Sequence, residues 1–436
     1  MKRMNRHSRA RPNPAAGRPL PSVEEKILTI STIGARGDAI AEGGAGAVYA
    51  PFALPGERVR ARVAGERAEV LELLEASAER QAPACRHFGR CGGCQLQHWR
   101  EEAYLDWKRG LVVDAMAKRG FANAPVEPII AAWGAGRRRA AFHAARLGGQ
   151  VRVGFIERGG AKLTPISQCP VLTPALEALA LKLGPLAEMA LPARGEITIH
   201  CLETSTGIDV AIKGAGRAEL LHRAALEALS AEAARLDLAR LSIDGEPIVE
   251  RAKPLLRMGR TMVAPPPAAF LQPTALGEET LARLTLEALG GAQRVIDLFS
   301  GIGTFALRIA EHAEVTASEA DAEMLAALKK ASDGAGGALK EVSTLRRDLL
   351  RTPISSLEMK KFDGAVMDPP RSGARLQAEQ IARAPIRKLA YVSCDASSFA
   401  RDIKVLVEHG FTLTKLTPVD QFRWSPHVEI VGAFER

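Results

Sequence analysis

The stretch R-V-I-D-L-F-S-G-I-G-T-F-A-L, residues 294–307, decides the fold of the C-terminal part of the chain. Residues 295–299 form a short apolar run broken by one acidic residue and ending at small residues, which predicts a buried parallel strand. From Thr304 onward the apolar residues have helical spacing. Gly301 and Gly303 lie between, where they let the backbone approach a ligand at the carboxyl end of a sheet. The stretch therefore predicts a nucleotide-like ligand.

The glycine turn differs from the dinucleotide fingerprint in its third glycine, because Ala306 stands at that position after a bulky Phe305. This difference argues against NAD and favours S-adenosylmethionine, which has no phosphate and needs a carboxylate for its ribose hydroxyls. Three acidic residues, Glu319, Asp348 and Asp368, end or follow the next three predicted strands. We expect them to line the cofactor crevice.

Composition sets the class of protein. A chain of 436 residues, 47% hydrophobic and 25% charged, predicts a globular protein of two or three domains. Neither a membrane span nor a secretory leader is recognisable, so we expect a cytoplasmic protein without a membrane partner. Residues 1–20 carry six Lys and Arg and no acid, out of a net charge of +9. Residues 1–24 are predicted to be a disordered basic arm, which serves either solubility or contact with RNA or DNA phosphate.

Residues 25–78 alternate strand-like runs with glycine turns and predict a small barrel of four or five strands. The G-x-G-x-A-I-A and P-G-E-R-V-R segments resemble the TRAM domain, an oligonucleotide-binding-like barrel attached to RNA-modifying enzymes. The resemblance implies an RNA-binding barrel, and a purely structural barrel is the alternative.

Four cysteines predict a metal site. Cys85, Cys91 and Cys94 lie within ten residues in C-R-H-F-G-R-C-G-G-C, and Cys169 follows in I-S-Q-C-P. Such spacing in a cytosolic chain argues against disulfides. Four thiolates suit either a structural zinc ion or a [4Fe-4S] cluster. With four ligands no iron is left open, so the pattern does not predict radical chemistry on S-adenosylmethionine.

The central region, residues 79–267, is predicted to be α+β. A helix is expected over residues 99–121, where it could pack on the catalytic domain, and five later strand-like runs predict an antiparallel sheet. Cys201 lies inside one of those runs and is expected to be an inert core thiol. The triplet 137–139 is Arg-Arg-Arg, which suits either phosphate contact or a solvated strand end.

In residues 268–436, D-P-P-R-S-G follows a strand, and its prolines fix the exit of Asp368 toward the crevice. Cys394 lies where the strand 389–393 meets a helix beginning near Ser397. A lone cysteine is usually a core residue, but the carboxyl end of a strand beside a cofactor is a position for chemistry.

Together these segments resemble the RNA (uracil-5)-methyltransferases, in particular those with a TRAM domain and an iron–sulfur cluster that act on 23S ribosomal RNA. The motifs that carry the resemblance are C-x5-C-G-G-C with Q-C-P, V-G-F-I-E-R, F-x-Q, D-L-F-x-G-x-G, D-P-P-R-x-G, S-C-D-x-x-x-x-A-R-D and H-V-E. The resemblance implies an α/β class I S-adenosylmethionine-dependent methyltransferase domain with a Rossmann-like sheet, an N-terminal barrel and a central iron–sulfur domain.

The resemblance also implies residue roles. The four cysteines would hold the [4Fe-4S] cluster, Cys394 would be the nucleophile and Glu429 the base, with Asp368 also close to the reacting ring. S-Adenosylmethionine would be surrounded by Gln272, Phe299, Gly301, Gly303, Thr304, Glu319, Asp348 and Asp368. The implied partner is RNA, 23S rRNA before tRNA, and the protein is expected to be a monomer.

Several positions depart from the family pattern. Ser300 and Thr304 stand where the family often has cysteine and asparagine, and Thr274 replaces an asparagine after F-x-Q. Arg423 lies in F-R-W-S-P-H, where F-P-x-T-x-H is usual. The first three put single cofactor contacts in question, and the last leaves Glu429 assigned by the H-x-E spacing alone.

Two other functions are alternatives to uracil methylation. Amino-methyltransferases of adenine or glutamine have an aromatic residue after D-P-P, whereas this chain has Arg371, and they need no cysteine nucleophile. A non-catalytic iron–sulfur RNA-binding protein would account for the barrel and the four clustered cysteines but leave Cys394 and Glu429 without a task.

Overall fold

The computed structural model describes residues 23–43, 46–216 and 223–436. Two compact units are present, one ending at Ala78 and the other running from Glu79 to Arg436. The predicted basic arm lies outside the described residues up to position 22, and its last two positions belong to the first strand. No helix in the described ranges is long and apolar enough to cross a membrane.

The first unit is a closed five-stranded barrel, as the glycine-punctuated strands predict. Its strands are β1 (Val23–Ile33), β2 (Ala39–Gly43), β3 (Gly46–Ala50), β4 (Arg58–Ala64) and β5 (Arg67–Glu75), in the order β1-β2-β3-β5-β4. Along β4 the alternation of side chains buries Val59, Ala61 and Val63 in the barrel and leaves the three intervening arginines exposed. Those arginines pair across to glutamates of β5, and such exposed pairs add little stability.

The second unit contains the remaining elements. They are α1 (Glu101–Ala117), β6 (Ile130–Ala131), β7 (Arg139–Leu147), β8 (Gln150–Ile156), β9 (Leu163–Pro165), α2 (Pro174–Ala180), α3 (Gly184–Ala190), β10 (Glu196–Thr204), β11 (Gly207–Lys213), α4 (Arg223–Arg235), β12 (Leu238–Ile243), β13 (Glu246–Glu250), β14 (Leu256–Met258), β15 (Thr261–Val263), α5 (Ala275–Leu289), β16 (Arg294–Leu298), α6 (Ala306–Ile309), β17 (Glu314–Glu319), α7 (Ala322–Asp333), β18 (Val342–Arg346), β19 (Gly364–Met367), α8 (Arg375–Arg383), β20 (Lys388–Ser393), α9 (Ala396–Glu408), β21 (Thr412–Asp420) and β22 (Glu429–Glu435).

Strands β7 to β13 form the central sheet, in the order β13-β12-β11-β10-β7-β8-β9. The sequence predicts an antiparallel sheet, and one neighbouring pair differs: β11 and β12 are parallel. The reason is the helix α4, which lies between them in the chain and returns it to the starting edge, as parallel pairing requires. Cys201 on β10 is 1% exposed, in agreement with the prediction of a core thiol.

The other large sheet has the order β18-β17-β16-β19-β20-β22-β21-β6. Strands β16 to β20 are mutually parallel, whereas β22 runs antiparallel to both β20 and β21. This change of direction brings the start of β22 to the edge where the parallel strands end. The carboxyl ends of the parallel strands and the start of β22 therefore lie at one edge of the sheet.

Helices cover both faces of this sheet, because alternate strand residues point to opposite sides. Ile296 and Leu298 pack with α8, α9 and the buried residues Val112 and Met116 of α1. Val295 and its neighbours pack instead with α5, α6 and α7. Helix α1 thus lies in the same core as α9, although it precedes the central sheet in sequence.

Candidate active site

The glycine turn after β16 lies at the carboxyl edge of the large sheet, where the sequence predicts the cofactor crevice. Phe299 has a positive φ of 65°, and Gly301 and Gly303 have φ of 55° and 96°. A Cβ placed on Gly301 would meet nothing within 4 Å, so the space above it is open. A Cβ on Gly303 would come within 2.9 Å of Leu307 and Leu328. The absence of a side chain therefore serves different purposes at the two glycines: Gly301 faces open space, and Gly303 allows close packing of the core.

The helix expected from Thr304 is short, because α6 spans only Ala306 to Ile309. Thr304 itself is half-buried, and its carbonyl accepts a hydrogen bond from Arg308 (2.7 Å). Ser300 is 3% exposed and its amide donates to the carbonyl of Ser318 (3.0 Å). The turn is thus held to the neighbouring strand by its backbone.

Glu319 ends β17 beside this turn, as its position in the sequence predicts. Its Oε2 accepts a hydrogen bond from the amide of Gly301 (3.0 Å), and its Oε1 accepts from the amides of Ala320 (2.6 Å) and Asp321 (2.9 Å). These three donors fix the carboxylate at the carboxyl edge of the sheet, next to the open space above Gly301.

The other expected cofactor residues lie in different surroundings. Gln272 is 6% exposed, and its Oε1 accepts from Nε2 of Gln421 (2.6 Å). Asp348 follows β18, is exposed, and accepts from the amide of Leu350 (3.1 Å). The departure Thr274 has a local explanation: it caps α5 by accepting from the amide of Gly277 (3.0 Å).

The register of the sheet brings the three expected catalytic residues together. Asp368 follows β19, and its amide donates to the carbonyl of Leu298 (3.3 Å). Cys394 follows β20, whose last residue Ser393 pairs with Ile430 of β22. Because β20 and β22 are antiparallel, the next position along β20, Cys394, lies opposite the preceding position along β22, Glu429. A thiol and two carboxyls from three strands thus share one edge.

Burial and mutual repulsion set the protonation of these groups. Burial, followed by the charge of Asp368, raises the pKa of Glu429 to about 8. Burial raises the pKa of Asp368 to about 7. Burial and then the carboxylates of Glu429, Asp368 and Asp395 raise the pKa of Cys394 to about 12. The sequence-based mechanism needs a thiolate, whereas burial and the neighbouring carboxyls favour the protonated thiol.

Residues of α9 hold the loops around Cys394 and Asp368. Asp395 caps α9 by accepting from the amides of Ser397 (3.1 Å) and Ser398 (2.9 Å). Oδ2 of the buried Asp402 accepts from the hydroxyl of Tyr391 (2.9 Å) and from the amide of Ala374 (2.7 Å). The A-R-D motif therefore ties the D-P-P-R-S-G loop to the strand that ends at Cys394.

A second site is a cavity of about 260 Å³, lined by all four cysteines predicted as metal ligands, Cys85, Cys91, Cys94 and Cys169. The amides of Gly93 and His87 donate to the sulfurs of Cys91 and Cys85 (3.4 Å each). Burial, with the neighbouring thiols acting in the same direction, raises the pKa of Cys169 to about 12. In the described part of the chain, no group of three or more His, Cys, Asp or Glu side chains could hold a metal ion as the side chains stand. The iron–sulfur cluster stays a prediction.

Arg137 and Arg139 of the arginine triplet line the cysteine cavity, whereas Arg138 does not. Arg137 lines the cysteine cavity and lies over the ring of Phe422 (5.6 Å). Arg138 forms a buried ion pair with Glu278, and Arg139 lies over the ring of Phe270 (4.7 Å). Arg138 therefore has a structural role. This role is neither the phosphate contact nor the solvated strand end that was expected for the triplet.

Sequence reasoning missed a buried ion pair beside the site. Lys108 of α1 and Asp420 at the end of β21 are both fully buried, with Lys108 Nζ 2.5 Å from Asp420 Oδ1. Burial lowers the pKa of Lys108 to about 8, although Asp420 acts in the opposite direction. The only signal in the sequence is a lysine on a helix that also carries apolar core positions, which alone is no indication of burial.

Comparison with known proteins identifies the family. A sequence model described as tRNA (uracil-5-)-methyltransferase matches residues 256–435. An uncharacterised RNA methyltransferase of Brucella suis is 44% identical over 409 residues, 94% of this chain and 97% of that protein. A 23S rRNA uracil-C5 methyltransferase of Halomonas elongata is 33% identical over 412 residues, 88% of this chain and 83% of that protein.

The fold agrees with a solved structure. A Pyrococcus abyssi tRNA (uracil-54, C5)-methyltransferase, crystallised with S-adenosyl-L-homocysteine, has a TM-score of 0.73 at 20% identity and covers 94% of this chain and 99% of that one. The predicted class I methyltransferase fold and small N-terminal barrel are confirmed, whereas the assignment of that barrel as a TRAM domain stays a prediction. The sequence resemblance is confirmed as well: the chain is an RNA methyltransferase and belongs to the RNA (uracil-5)-methyltransferase family.

Proposed function

We propose that this enzyme methylates carbon 5 of a uridine in 23S rRNA through a covalent bond between Cys394 and carbon 6 of the uracil. The observation that carries this proposal is the meeting of Cys394, Asp368 and Glu429 at one edge of the sheet, beside the open turn at Gly301. A thiol and a carboxyl that face each other are the nucleophile and base that this reaction needs.

The steps of the proposed methylation can be assigned to named groups. Cys394 first loses its proton to solvent; its thiolate then adds to carbon 6, and the electron pair of the 5,6 double bond moves toward the carbonyl at carbon 4, giving an enolate. S-Adenosylmethionine, when bound, supplies the electrophilic methyl group that carbon 5 takes. Glu429 then removes the proton from carbon 5, the 5,6 double bond forms again, and the thiolate of Cys394 leaves. Asp368, at the same edge of the sheet, would hydrogen-bond the uracil ring.

The charge of the crevice supports an ordered reaction. Because burial and three nearby carboxyls raise the pKa of Cys394 to about 12, an anion forms there at a high cost. A positively charged ligand at this edge would lower that pKa by direct attraction, and a sulfonium carries such a charge. Cys394 would then be activated only in the loaded enzyme, which protects the thiol in the free protein.

The cofactor would lie along the carboxyl edge. Gly301 leaves open space, Glu319 offers a carboxylate for ribose hydroxyls, and Phe299, Gly303 and Thr304 shape the turn. Three further residues, Gln272, Asp348 and Asp368, would complete the site. Gln272 is engaged with Gln421 and Asp348 with a backbone amide. Those two contacts would have to be shared or exchanged when the cofactor binds.

The RNA partner is inferred from the relatives and from charge. The Halomonas elongata relative acts on 23S rRNA and shares 33% identity over most of both chains. A net charge of +9 and an N-terminal barrel suit a polyanion. The target uridine must leave its stack, so a single-stranded or looped site is expected. Transfer RNA is the alternative substrate, in keeping with the name of the matching family model.

For the cysteine cavity we propose a [4Fe-4S] cluster held by Cys85, Cys91, Cys94 and Cys169. Four thiols around a cavity of about 260 Å³ fit a cluster, which places iron and sulfide between its ligands. A single zinc ion instead needs four sulfurs about 2.3 Å from one point. The cluster would be structural, since four protein ligands close it.

The test is methyl transfer from labelled S-adenosylmethionine to 23S rRNA and to tRNA transcripts, offered separately. We expect label in 5-methyluridine at one position of 23S rRNA, and none with the Cys394→Ala variant. Label in tRNA alone would select the alternative substrate. Label in a different nucleoside would refute the proposed chemistry.

A further inference from the structure

The loop of residues 421–428, between β21 and β22, leads directly to Glu429. It is fixed from outside by the segment that follows the clustered cysteines. The amides of Gln95 and Leu96 donate to the carbonyl of Trp424 (2.8 and 3.1 Å). The departure Arg423 also belongs to this contact, because it lies over the rings of Trp133 and Trp424 (4.4 Å each). The loop is therefore held by residues distant in sequence.

The strongest tie is at the start of the loop. Asp420 Oδ1 accepts from Lys108 Nζ (2.5 Å) and from the amide of Phe422 (2.8 Å), and Oδ2 accepts from the hydroxyl of Tyr104 (2.8 Å). Lys108 Nζ also donates to the carbonyl of Phe422 (3.3 Å). Lys108 and Tyr104, one helical turn apart on α1, thus together hold the carboxylate of Asp420 and the backbone of Phe422.

A short path connects this grip to the base. Val419, the neighbour of Asp420, pairs with Glu429 across the β21–β22 ladder. Gln421, on the other side of Asp420, donates to Gln272 and lies near enough to Glu429 to lower its pKa. Burial and Asp368 raise the pKa of Glu429, and Gln421 and Lys108 act in the opposite direction. Movement of Asp420 would therefore displace its two chain neighbours, Val419 and Gln421, which both lie beside Glu429.

Stability alone gives no reason for this arrangement. A buried ion pair loses about as much in desolvation as it gains in attraction, and apolar residues of similar size often do as well. A buried pair is better suited to selecting one geometry, and here that geometry is the start of the loop that carries the proposed base.

We propose that Lys108, together with Tyr104 and Asp420, is a positioning residue that holds the start of the loop 421–428 so that Glu429 stays opposite Cys394. The proposal rests on the proposed function, in which Glu429 removes the proton from carbon 5. It assigns a task in catalysis to a helix that belongs to the cysteine-bearing region of the chain. Loss of the grip should slow proton removal and leave cofactor binding and thiol addition in place.

The test follows the covalent RNA–protein complex in single turnovers. The probe is a ribosomal RNA fragment that the wild-type enzyme methylates, with labelled S-adenosylmethionine. Lys108→Met keeps the length of the side chain but removes its charge and donors. We expect the complex to form and then to break down at least about tenfold more slowly than in the wild type, with the dissociation constant of S-adenosylmethionine changed less than about twofold.

Two further variants separate positioning from folding. Lys108→Met alone leaves the Asp420 carboxylate buried without its cation, so the double variant Lys108→Met/Asp420→Asn removes that charge and keeps an acceptor for Tyr104. Its thermal stability should recover while the slow breakdown persists. Arg240→Met is the matched control, because Arg240 and Asp209 form a bidentate buried pair in the central sheet (2.9 and 2.7 Å). It should lose stability and keep normal breakdown.

If the covalent complex of the double variant broke down at the wild-type rate, the proposal would be overturned, because Lys108 would then only neutralise the charge of Asp420. Equally slow breakdown in Arg240→Met would also overturn it, since general destabilisation would explain the effect. Normal turnover by Glu429→Gln is a different result, which refutes Glu429 as the base and thus the proposed function itself.

Discussion

The surroundings of Cys394 and the cavity of the four cysteines contain ionisable groups of opposite kinds, carboxyls at the first and arginines at the second. In the crevice, one thiol lies among the carboxyls of Asp368, Asp395 and Glu429, all of which raise its pKa. The cavity holds four thiols together with Arg137 and Arg139, and among the described residues no Asp or Glu lines it. A crevice rich in carboxyls favours a cationic ligand, whereas thiolates beside arginines favour an anionic cluster with its metal. The same residue type is thus prepared for two different tasks.

The largest expected effect is that of Cys394→Ala. The proposed reaction cannot begin without the thiol, so methylation should fall below detection while S-adenosylmethionine binding stays within about twofold. Labelled methyl transfer and calorimetric titration measure the two quantities. Cys201→Ala is the matched control, because Cys201 is a buried thiol of the central sheet outside both sites, and it should retain activity. Residual methylation by Cys394→Ala would refute the assignment of Cys394 as the nucleophile.

Glu429→Gln should have the next largest effect, because it removes the base and keeps the size of the side chain. Turnover is expected to fall by about 10²–10⁴-fold, the usual contribution of a general base. The methylated RNA should accumulate on Cys394 as a complex that survives denaturation, visible on a gel. The double variant Cys394→Ala/Glu429→Gln should form none; a complex seen there would have to involve another residue.

On the cavity side, Cys94→Ala should remove the cluster. Anaerobically purified wild-type protein is expected to be brown, with iron and sulfide each near about four per chain, and the variant should hold little of either. Because metal binding contributes to folding, the variant should also melt at a lower temperature. Cys201→Ala should keep the full iron content. One zinc ion per wild-type chain without sulfide would contradict the cluster.

The regular parts of the site were accessible to sequence reasoning. Strand ends can be found from short apolar runs, and parallel strands place their carboxyl ends together, so Glu319, Asp368 and Cys394 could be predicted at one edge. Glu429 could be named only by resemblance, since a chain pattern does not show that β22 reverses direction and brings its first residue to that edge. The β11–β12 pair was missed for the same reason.

Other features depend on tertiary contacts that no local pattern contains. Lys108 looks like a surface residue of an amphipathic helix, and only packing against β21 shows its burial beside Asp420. The pKa of Cys394 is a further case, because two of the carboxyls that raise it, Glu429 and Asp368, come from separate segments of the chain. The proposed reaction needs a thiolate, but sequence reasoning could not show that burial and nearby carboxyls raise the pKa of this thiol.

The smallest expected effect concerns stability against pH and tests whether the carboxyl crowding in the crevice is real. Burial and Asp368 raise the pKa of Glu429 from an ordinary 4.5 to about 8 in the folded protein. Between those values the native state binds more protons than the unfolded chain, so the contribution of Glu429 to the free energy of unfolding falls as pH rises. The slope is limited to about 1.4 kcal/mol per pH unit.

Gln at position 429 cannot lose a proton and is free of this penalty. The stability of Glu429→Gln relative to the wild type, measured by urea unfolding, should therefore increase from pH 5 to pH 8 and level off above. Glu435→Gln, at the exposed end of the same strand, is the control for the same substitution outside the site. Since Asp368 and Lys108 are present in both proteins, their own titration largely cancels in the difference. A difference that does not change with pH would mean that Glu429 is already ionised in the folded protein, and that the crevice is less crowded with carboxyls than its contrast with the cysteine cavity requires.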